Sequence, residues 1–143
     1  MTEWCHEFNF IKGGLGWSAF NVGATPTTAG WRSVAAYGGY VIYVERTGFG
    51  QITFTQVDIT FEYDDAPRSG NGYLDVGGDQ ISWTSLTTTG PHTKTYENAN
   101  GKSATRIAIA IGDDDVGGDP NTPSTLTKVV VHGTGINPFN LDE

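Results

Sequence analysis

The chain contains one cysteine, Cys5, among its 143 residues. A single thiol cannot form a disulfide within the chain, and it excludes a zinc site built from several cysteines. Cys5 lies in the first β-like segment, among aromatic neighbours. We therefore expect a buried, inert thiol there and not a reactive nucleophile.

Basic residues are scarce as well. Eight Lys and Arg stand against sixteen Asp and Glu, which gives a formal net charge of −8. A protein that binds nucleic acid needs a basic stripe to displace counterions, and so few scattered cations cannot form one. The same acidity opposes docking on anionic membranes. We expect neither nucleic acid nor membrane as a partner.

Long apolar runs are missing too. No run approaches the roughly 20 residues that a membrane-spanning helix needs. Residues 1–4 have neither the basic region nor the apolar stretch of a signal peptide. Two interpretations remain open: a protein that stays in the cell until lysis or assembly, or a module of a longer exported chain. We expect an extracellular or virion-associated location.

What the sequence has in quantity is glycine, threonine, β-branched residues and aromatics, with 20 Gly and only 17% charged residues. β-like runs recur along the chain with turn residues between them, and no segment keeps a helical period. A sheet with one apolar face must bury that face against another sheet. The sequence therefore predicts an all-β protein, a two-sheet antiparallel β-sandwich of the jelly-roll kind. No linker-like stretch interrupts residues 1–143, so we expect a single domain.

Hydrophobic alternation also predicts local details. In the long run from Gln51 to Tyr63, Ile52 and Phe54 share one face, whereas Val57 and the apolar residues after it share the other. Such a change of parity predicts a bulge or a corner near Thr55-Gln56, where a residue is inserted or the strand changes partner. Two further segments, 25–30 and 98–102, are predicted to be a loop and a turn.

Both ends of the chain carry motifs of a known superfamily. The opening Phe8-Asn9-Phe10, a glycine-rich turn and then Gly16-Trp17-Ser18 resemble the start of galactose-binding-like jelly rolls, which include many carbohydrate-binding modules. The run 59–64, the closing segment 127–135 and Asn137-Pro138-Phe139 resemble later strands of uncharacterised jelly-roll domains from bacterial exoproteins and phage virions. The resemblance implies a fold, and it brings no set of ligand residues with it.

Catalytic motifs are not found. The histidines, His6, His92 and His132, lie on separate predicted strands, with no Gly-x-Ser-x-Gly or His-Glu-x-x-His motif. Glu62, Asp64 and Asp65 cluster at a strand end, but glycoside hydrolysis needs two carboxylates across a cleft. A short chain with short loops offers little material for a cleft. We expect no catalytic residues and no enzyme activity.

The loop 112–121 is rich in carboxylates. Adjacent carboxylates repel one another unless water or a cation screens them, and Ca²⁺ takes six to eight oxygen ligands from such loops. The spacing is not that of an EF-hand, because Ser124 occupies the twelfth position from Asp113. Two interpretations stay open, a solvated acidic turn and a structural Ca²⁺ site. The candidate ligands are Asp113, Asp114, Asp115 and Asp119.

Aromatic residues are plentiful, with four Trp and six Tyr. Exposed aromatic planes stack against the C–H faces of sugar rings, although Trp and Tyr are also frequent in sandwich cores. Trp4 and Trp17 are expected in the core. The candidate ligand-binding residues, in turns or on the polar side of strands, are Trp31, Tyr37, Tyr40, Tyr73, Trp83 and Tyr96.

Two functions therefore compete. The first is a non-catalytic carbohydrate-binding module that recognises a glycan through surface aromatics, with Ca²⁺ as its possible structural cofactor. The second is a structural subunit, either a phage decoration or tail protein or a self-assembling surface filament. Unpaired strand edges could join copies of such a subunit into a homo-oligomer.

Overall fold

A computed structural model describes residues 2–14, 16–19, 24–33, 42–113 and 122–139. One 3-10 turn, Phe10–Lys12, follows the first strand, and no helix in these ranges could span a membrane. The strands are β1 (Glu3–Asn9), β2 (Trp17–Ala19), β3 (Ala24–Thr27), β4 (Gly30–Ser33), β5 (Ile42–Arg46), β6 (Ile52–Tyr63), β7 (Gly70–Val76), β8 (Asp79–Leu86), β9 (His92–Ala104), β10 (Ile107–Asp113) and β11 (Ser124–Thr134).

The strands form two sheets. The six-stranded sheet has the order β3-β4-β11-β6-β9, with β1 also paired to β11, and the five-stranded sheet has the order β2-β5-β10-β7-β8. Every strand pairing within the described residues is antiparallel. The predicted two-sheet antiparallel sandwich is confirmed.

The core lies between the sheets and follows the period-2 pattern of the strands. In β10, Ile107, Ile109 and Ile111 are fully buried and belong to the core cluster. From the opposite sheet Phe54 and Phe61 of β6 are equally buried. Burial of one such side chain stabilises the fold by about 1.5–3 kcal/mol, so this alternation is what holds the two layers together.

The parity change in β6 is a β-bulge, as predicted. Phe54 and Gln56 are opposite the adjacent residues Gly133 and His132 of β11, which makes Thr55 the extra residue. The register with β9 shifts between Phe54 and Gln56, whose partners are Lys102 and Glu97. The intervening residues 98–101 of β9 have no partner in this ladder, and Gly101 there has a φ of +83°. The segment predicted as a turn at 98–102 is therefore an irregularity within a long strand.

The prediction of a loop at 25–30 is wrong. Most of this segment is the hairpin of β3 and β4, with Thr25 opposite Arg32 and Pro26 opposite Trp31. Pro26 has no N–H to donate to a ladder, and prolines are therefore rare inside sheets. The strand is an edge strand, where a missing donor on the open side is tolerated.

The predicted burial of Cys5 is also wrong, since the thiol is exposed. In β1 the side chains that turn inward are Trp4, His6 and Phe8, of which His6 and Phe8 are buried. Cys5 has the opposite parity and lies in register with His132 on the outer face of the six-stranded sheet. The alternation of β1 placed Cys5 on the outer face, against the general preference of cysteine for burial.

One end of the core is closed by an aromatic cluster. Phe139 is fully buried, and its ring centroid lies 5.0 Å from that of Phe8 and 5.7 Å from that of Trp4. The guanidinium of Arg46 lies over the Phe8 and Phe139 rings at 5.7 and 5.4 Å. The segment after β11 therefore contributes to the core against the first strand.

Candidate functional site

Two tyrosines lie in one row across the outer face of the five-stranded sheet. Tyr43 in β5 and Tyr73 in β7 are both in register with Ala110 of the central strand β10. Their neighbours Val44 and Leu74 are fully buried, so the tyrosines point away from the core, and both are half-buried. One strand separates them, which places their Cα atoms about 9.5 Å apart at the usual strand spacing.

Small side chains form the floor between the tyrosines. Ala108 and Ala110 point outward from β10, yet they are only 1% and 4% exposed and do not belong to the core cluster. Larger side chains on β5 and β7 flank these alanines and cover most of their surface. We call this region of the sheet the tyrosine face; its residues are Tyr43, Glu45, Tyr73, Asp75, Gln80, Ala108 and Ala110.

A row of polar side chains runs beside the tyrosines. Glu45, Asp75 and Gln80 lie in register around Ala108. One carboxylate oxygen of Asp75 accepts the Gly78 N–H at 2.8 Å, and the other accepts a bond from Gln80 Nε2 at 3.2 Å. These bonds orient Asp75 before any ligand arrives, and its remaining lone pairs can accept hydrogen bonds from hydroxyl groups.

The cation beside this row is Arg106, whose Nε donates to Glu45 Oε2 and forms an ion pair with it. The side chains of Arg106 and Glu45 are 42% and 25% exposed, so the pair remains in contact with solvent. Hydrogen bonds from arginine to a carboxylate are directional. The guanidinium is therefore held toward Glu45.

Electrostatics link these side chains to Tyr73. Burial raises the pKa of Tyr73 above 10.0, the Tyr43 hydroxyl and the Asp75 carboxylate raise it further, and Arg106 acts in the opposite direction. The Tyr73 hydroxyl is thus neutral around pH 7 and can both donate and accept a hydrogen bond.

The tyrosine face continues into a cleft beyond Asp75. This cavity of about 340 Å³ lies between the β7–β8 turn and the connection from β9 to β10. Asp75 belongs to the tyrosine face and also lines the cleft, and Arg106, the ion-pair partner of Glu45, lines the cleft as well. The cleft is otherwise lined largely by polar or small residues, including Gln51, Gly78, Ser103 and Thr105.

Three of the predicted ligand-binding aromatics are core residues. Trp31, Trp83 and Tyr96 are only 6%, 7% and 3% exposed, so the prediction that they present their rings to solvent is wrong. Their contacts fix them inside: Trp31 packs edge-on to Phe10 at 5.5 Å, and Trp83 stacks on Phe61 at 5.5 Å.

The polar atoms of two of these core residues are satisfied within the fold. The Trp31 indole donates to the Gly13 carbonyl at 3.1 Å, and the Tyr96 hydroxyl donates to Asp79 at 2.7 Å. The alternation of faces along each strand turns both side chains inward, although polar residues lie next to them in sequence.

The other three predicted ligand-binding residues are Tyr37, Tyr40 and Tyr73. Tyr73 lies on the tyrosine face, whereas Tyr37 and Tyr40 lie outside the described residues. Sequence reasoning missed Tyr43. Its signal was available, because Tyr43 alternates with the apolar Ile42 and Val44 and therefore must point to the outer face.

Of the proposed calcium ligands, the structure describes only Asp113. It is 8% exposed, and its Oδ1 accepts the Ser69 N–H at 3.0 Å. Asp114, Asp115 and Asp119 lie outside the described residues. Within the ranges that the structure describes, no group of three or more His, Cys, Asp and Glu side chains is arranged to hold a metal ion.

The acidic and imidazole groups that could suggest catalysis lie apart from the tyrosine face. Asp64 is bound to Arg32 through both carboxylate oxygens, and Glu62 is exposed on the outer face of the six-stranded sheet. His132 lies 3.5 Å from Asp58 on the same outer face. His6 is buried against Phe8 at 4.7 Å between ring centroids.

Similar architectures occur among proteins of known structure. No family model matches the chain, and no curated protein matches it in sequence. Among solved structures, the family 29 carbohydrate-binding module CBM29_1 from Piromyces equi aligns with a TM-score of 0.57 at 9% identity, over 94% of this chain and 93% of that one. The chain has the fold of a carbohydrate-binding module.

Two further structures are similar. The carbohydrate-binding module CBM36 in complex with calcium and xylotriose aligns with a TM-score of 0.50 at 12% identity, over 88% of this chain and 98% of that one. The Crh5 transglycosylase in complex with NAG aligns with a TM-score of 0.60 at 9% identity, over 92% of this chain and 84% of that one. The sandwich therefore occurs both in binding modules and in an enzyme, and function has to be argued from the site.

Proposed function

We propose that this protein is a non-catalytic glycan-binding module whose ligand lies across the tyrosine face. The observation that carries the proposal is the row Tyr43–Ala110–Tyr73, two half-buried rings on either side of a small-residue floor. Aromatic rings bring a large apolar surface and a polar hydroxyl to one place. Asp75 and Gln80 in the next row can bind sugar hydroxyls while the rings contact the apolar faces of the sugar.

The similar structures support this choice. Two of the three are carbohydrate-binding modules, one of them in complex with xylotriose. Both carboxylates on the tyrosine face already have partners, Glu45 in Arg106 and Asp75 in Gly78 and Gln80. Such fixed groups suit recognition of hydroxyls better than proton transfer, which favours binding over hydrolysis. We also propose that the chain works as one domain and acts outside the cell.

The rings can be tested one at a time. Affinity gel electrophoresis against a panel of soluble polysaccharides identifies a ligand, and calorimetry with its oligosaccharide then measures the variants. Tyr43→Ala and Tyr73→Ala should each weaken binding about tenfold, since a lost aromatic contact of about 1.4 kcal/mol is one decade in Kd. Tyr73→Phe keeps the ring and should retain most of the affinity.

His132→Ala, on the outer face of the other sheet, is the matched control and should bind like the parent chain. Binding by the double variant Tyr43→Ala/Tyr73→Ala at parental affinity would refute the tyrosine face as the site. Absence of binding to every glycan tested would refute the proposed function itself.

The alternative of a structural subunit makes a different prediction. A virion or filament subunit assembles, so light scattering on the purified chain should show a defined oligomer or polymer. A glycan-binding module that works alone should be monomeric and should bind sugar in that state.

Calcium remains part of the proposal as a structural cofactor held at 113–119. The support is the buried Asp113 carboxylate at the end of β10, together with the carboxylates that follow it in sequence. The residues suit Ca²⁺, which prefers carboxylate oxygens. If Ca²⁺ binds the folded chain, excess CaCl₂ should raise the melting temperature relative to EDTA, and Asp113→Asn should reduce that shift. An equal melting temperature in both buffers would remove calcium from the proposal.

A further inference from the structure

The charges on the tyrosine face and its cleft are unbalanced. The outer-face residues of β5, β7, β8 and β10 that lie in register around Ala108 and Ala110 carry two carboxylates, Glu45 and Asp75. The cation next to them is Arg106, which is ion-paired with Glu45. A ligand that lies over Tyr43 and Tyr73 must therefore pass beside Asp75 and beside an arginine whose charge is already balanced.

We propose that this face selects neutral glycans and rejects glycans that carry uronate groups, an inference that rests on the proposed function. A uronate carboxylate over Ala108 would meet Glu45 and Asp75 on its two sides. Juxtaposition of like charges on a partly desolvated surface is costly, whereas a neutral hydroxyl at the same place can donate a hydrogen bond to either carboxylate.

The Arg106–Glu45 pair determines whether a uronate is attracted to this face or repelled from it. An arginine whose guanidinium faced the ligand could bind a uronate through two parallel hydrogen bonds. Here the guanidinium Nε donates to Glu45, and a uronate would have to compete with that carboxylate for it. The acidic charge of the chain as a whole, −8, adds a longer-range repulsion in the same direction.

The proposal predicts a charge-dependent preference between oligosaccharides of equal length. Calorimetry with neutral hexamers of β-linked glucose, xylose and mannose is compared with hexamers of galacturonate and guluronate, with and without EDTA to detect cation bridging. We expect at least one neutral hexamer to bind and both uronate hexamers to bind at least tenfold more weakly. Residual uronate binding should strengthen with added salt, because salt screens repulsion.

Charge-neutralising variants test the assignment to these residues. Glu45→Gln/Asp75→Asn removes both carboxylates of this face, so uronate affinity should rise at least tenfold relative to the affinity for the neutral hexamer. Glu7→Gln/Glu97→Gln removes the same total charge from the outer face of the six-stranded sheet, where both residues are exposed. This control should leave the preference unchanged, and thermal melts establish that both variants are folded.

The outcomes separate the two claims. If the uronate hexamers bind as tightly as the neutral ones, or bind more weakly when salt is added, the charge selection is refuted and glycan binding stands. If the control variant changes the preference as much as Glu45→Gln/Asp75→Asn, total charge and not this face is responsible, which also refutes the selection. If no hexamer and no polysaccharide binds, the proposed function fails first.

Discussion

At the scale of single residues, Tyr63 is a polar side chain that stabilises the fold through burial and a hydrogen bond. The phenol of Tyr63 is almost fully buried and its hydroxyl donates to the Gly112 carbonyl at 2.7 Å. Burial, and then the nearby Asp113 carboxylate, raise the pKa of Tyr63 well above its ordinary value of 10.0. The folded state therefore holds this proton more tightly than the unfolded state does.

This shift predicts a loss of stability in alkali. Because the folded pKa is raised, the contribution of Tyr63 is complete below about pH 10, where the unfolded phenol is still protonated, and it is lost as the pH rises toward the folded pKa. Tyr63→Phe has no proton to lose, so the free energy of unfolding should fall less steeply above pH 10. At pH 7 the same variant should be less stable by about 1–3 kcal/mol, because the buried Gly112 carbonyl loses its donor.

Urea unfolding at a series of pH values measures both effects. Tyr73 and Tyr96 also have raised pKa values, first through burial, so the slope should diminish and not vanish. An identical slope in the parent chain and in Tyr63→Phe would contradict the assignment.

At the scale of the element, the bulge in β6 keeps two apolar sets on one face. Phe54 and Val57 are both fully buried although they are three residues apart, and in a regular strand such residues point to opposite faces. The extra residue at the register shift between Phe54 and Gln56 returns Val57 to the same face as Phe54. The bulge is thus required by the packing of Phe54.

Deletion of Thr55 should therefore be tolerated better than deletion of a residue elsewhere in β6. Without Thr55, Phe54 and Val57 are two residues apart, as on one face of a regular strand. Deletion of Thr60 makes Ile59 and Phe61 adjacent and turns one of these fully buried side chains out of the core, and the loss of one large core side chain costs about 3–5 kcal/mol. Denaturant unfolding of both deletion variants checks this, and equal destabilisation by the two would mean that the register is not fixed by the bulge.

At the scale of the whole molecule, the two sheets share one core. Phe61 of the six-stranded sheet stacks on Trp83 of the five-stranded sheet at 5.5 Å, and Phe8 packs edge-on to Trp17 at 5.4 Å. Neither sheet can bury its apolar face without the other. The single domain expected from the sequence should consequently unfold as a unit.

The prediction is one cooperative transition. Two tryptophans lie in each sheet, Trp4 and Trp31 in the six-stranded sheet and Trp17 and Trp83 in the five-stranded sheet. Their fluorescence and the far-ultraviolet circular dichroism should give superimposable unfolding curves in urea, because both report the same two-state equilibrium. Separate midpoints would show that the chain contains more than one folding unit.

The sequence by itself determined the fold class, the two-sheet architecture and the bulge at Thr55-Gln56. These features depend on the period-2 alternation of apolar residues, which is written into neighbouring positions. The same alternation, applied strictly, would have placed Cys5 outside and Tyr43 on the outer face. At these two positions the predictions followed composition and residue preference instead of the alternation.

Only the tertiary structure decided which aromatics meet on one surface. Tyr43 and Tyr73 come together because both strands pair with β10 and share a register at Ala110, and that pairing joins residues far apart in the chain. Trp31, Trp83 and Tyr96 are just as aromatic, yet they are buried in the core between the two sheets. Whether a ring serves the core or a ligand depends on what lies over it, and that is settled only when the two sheets pack.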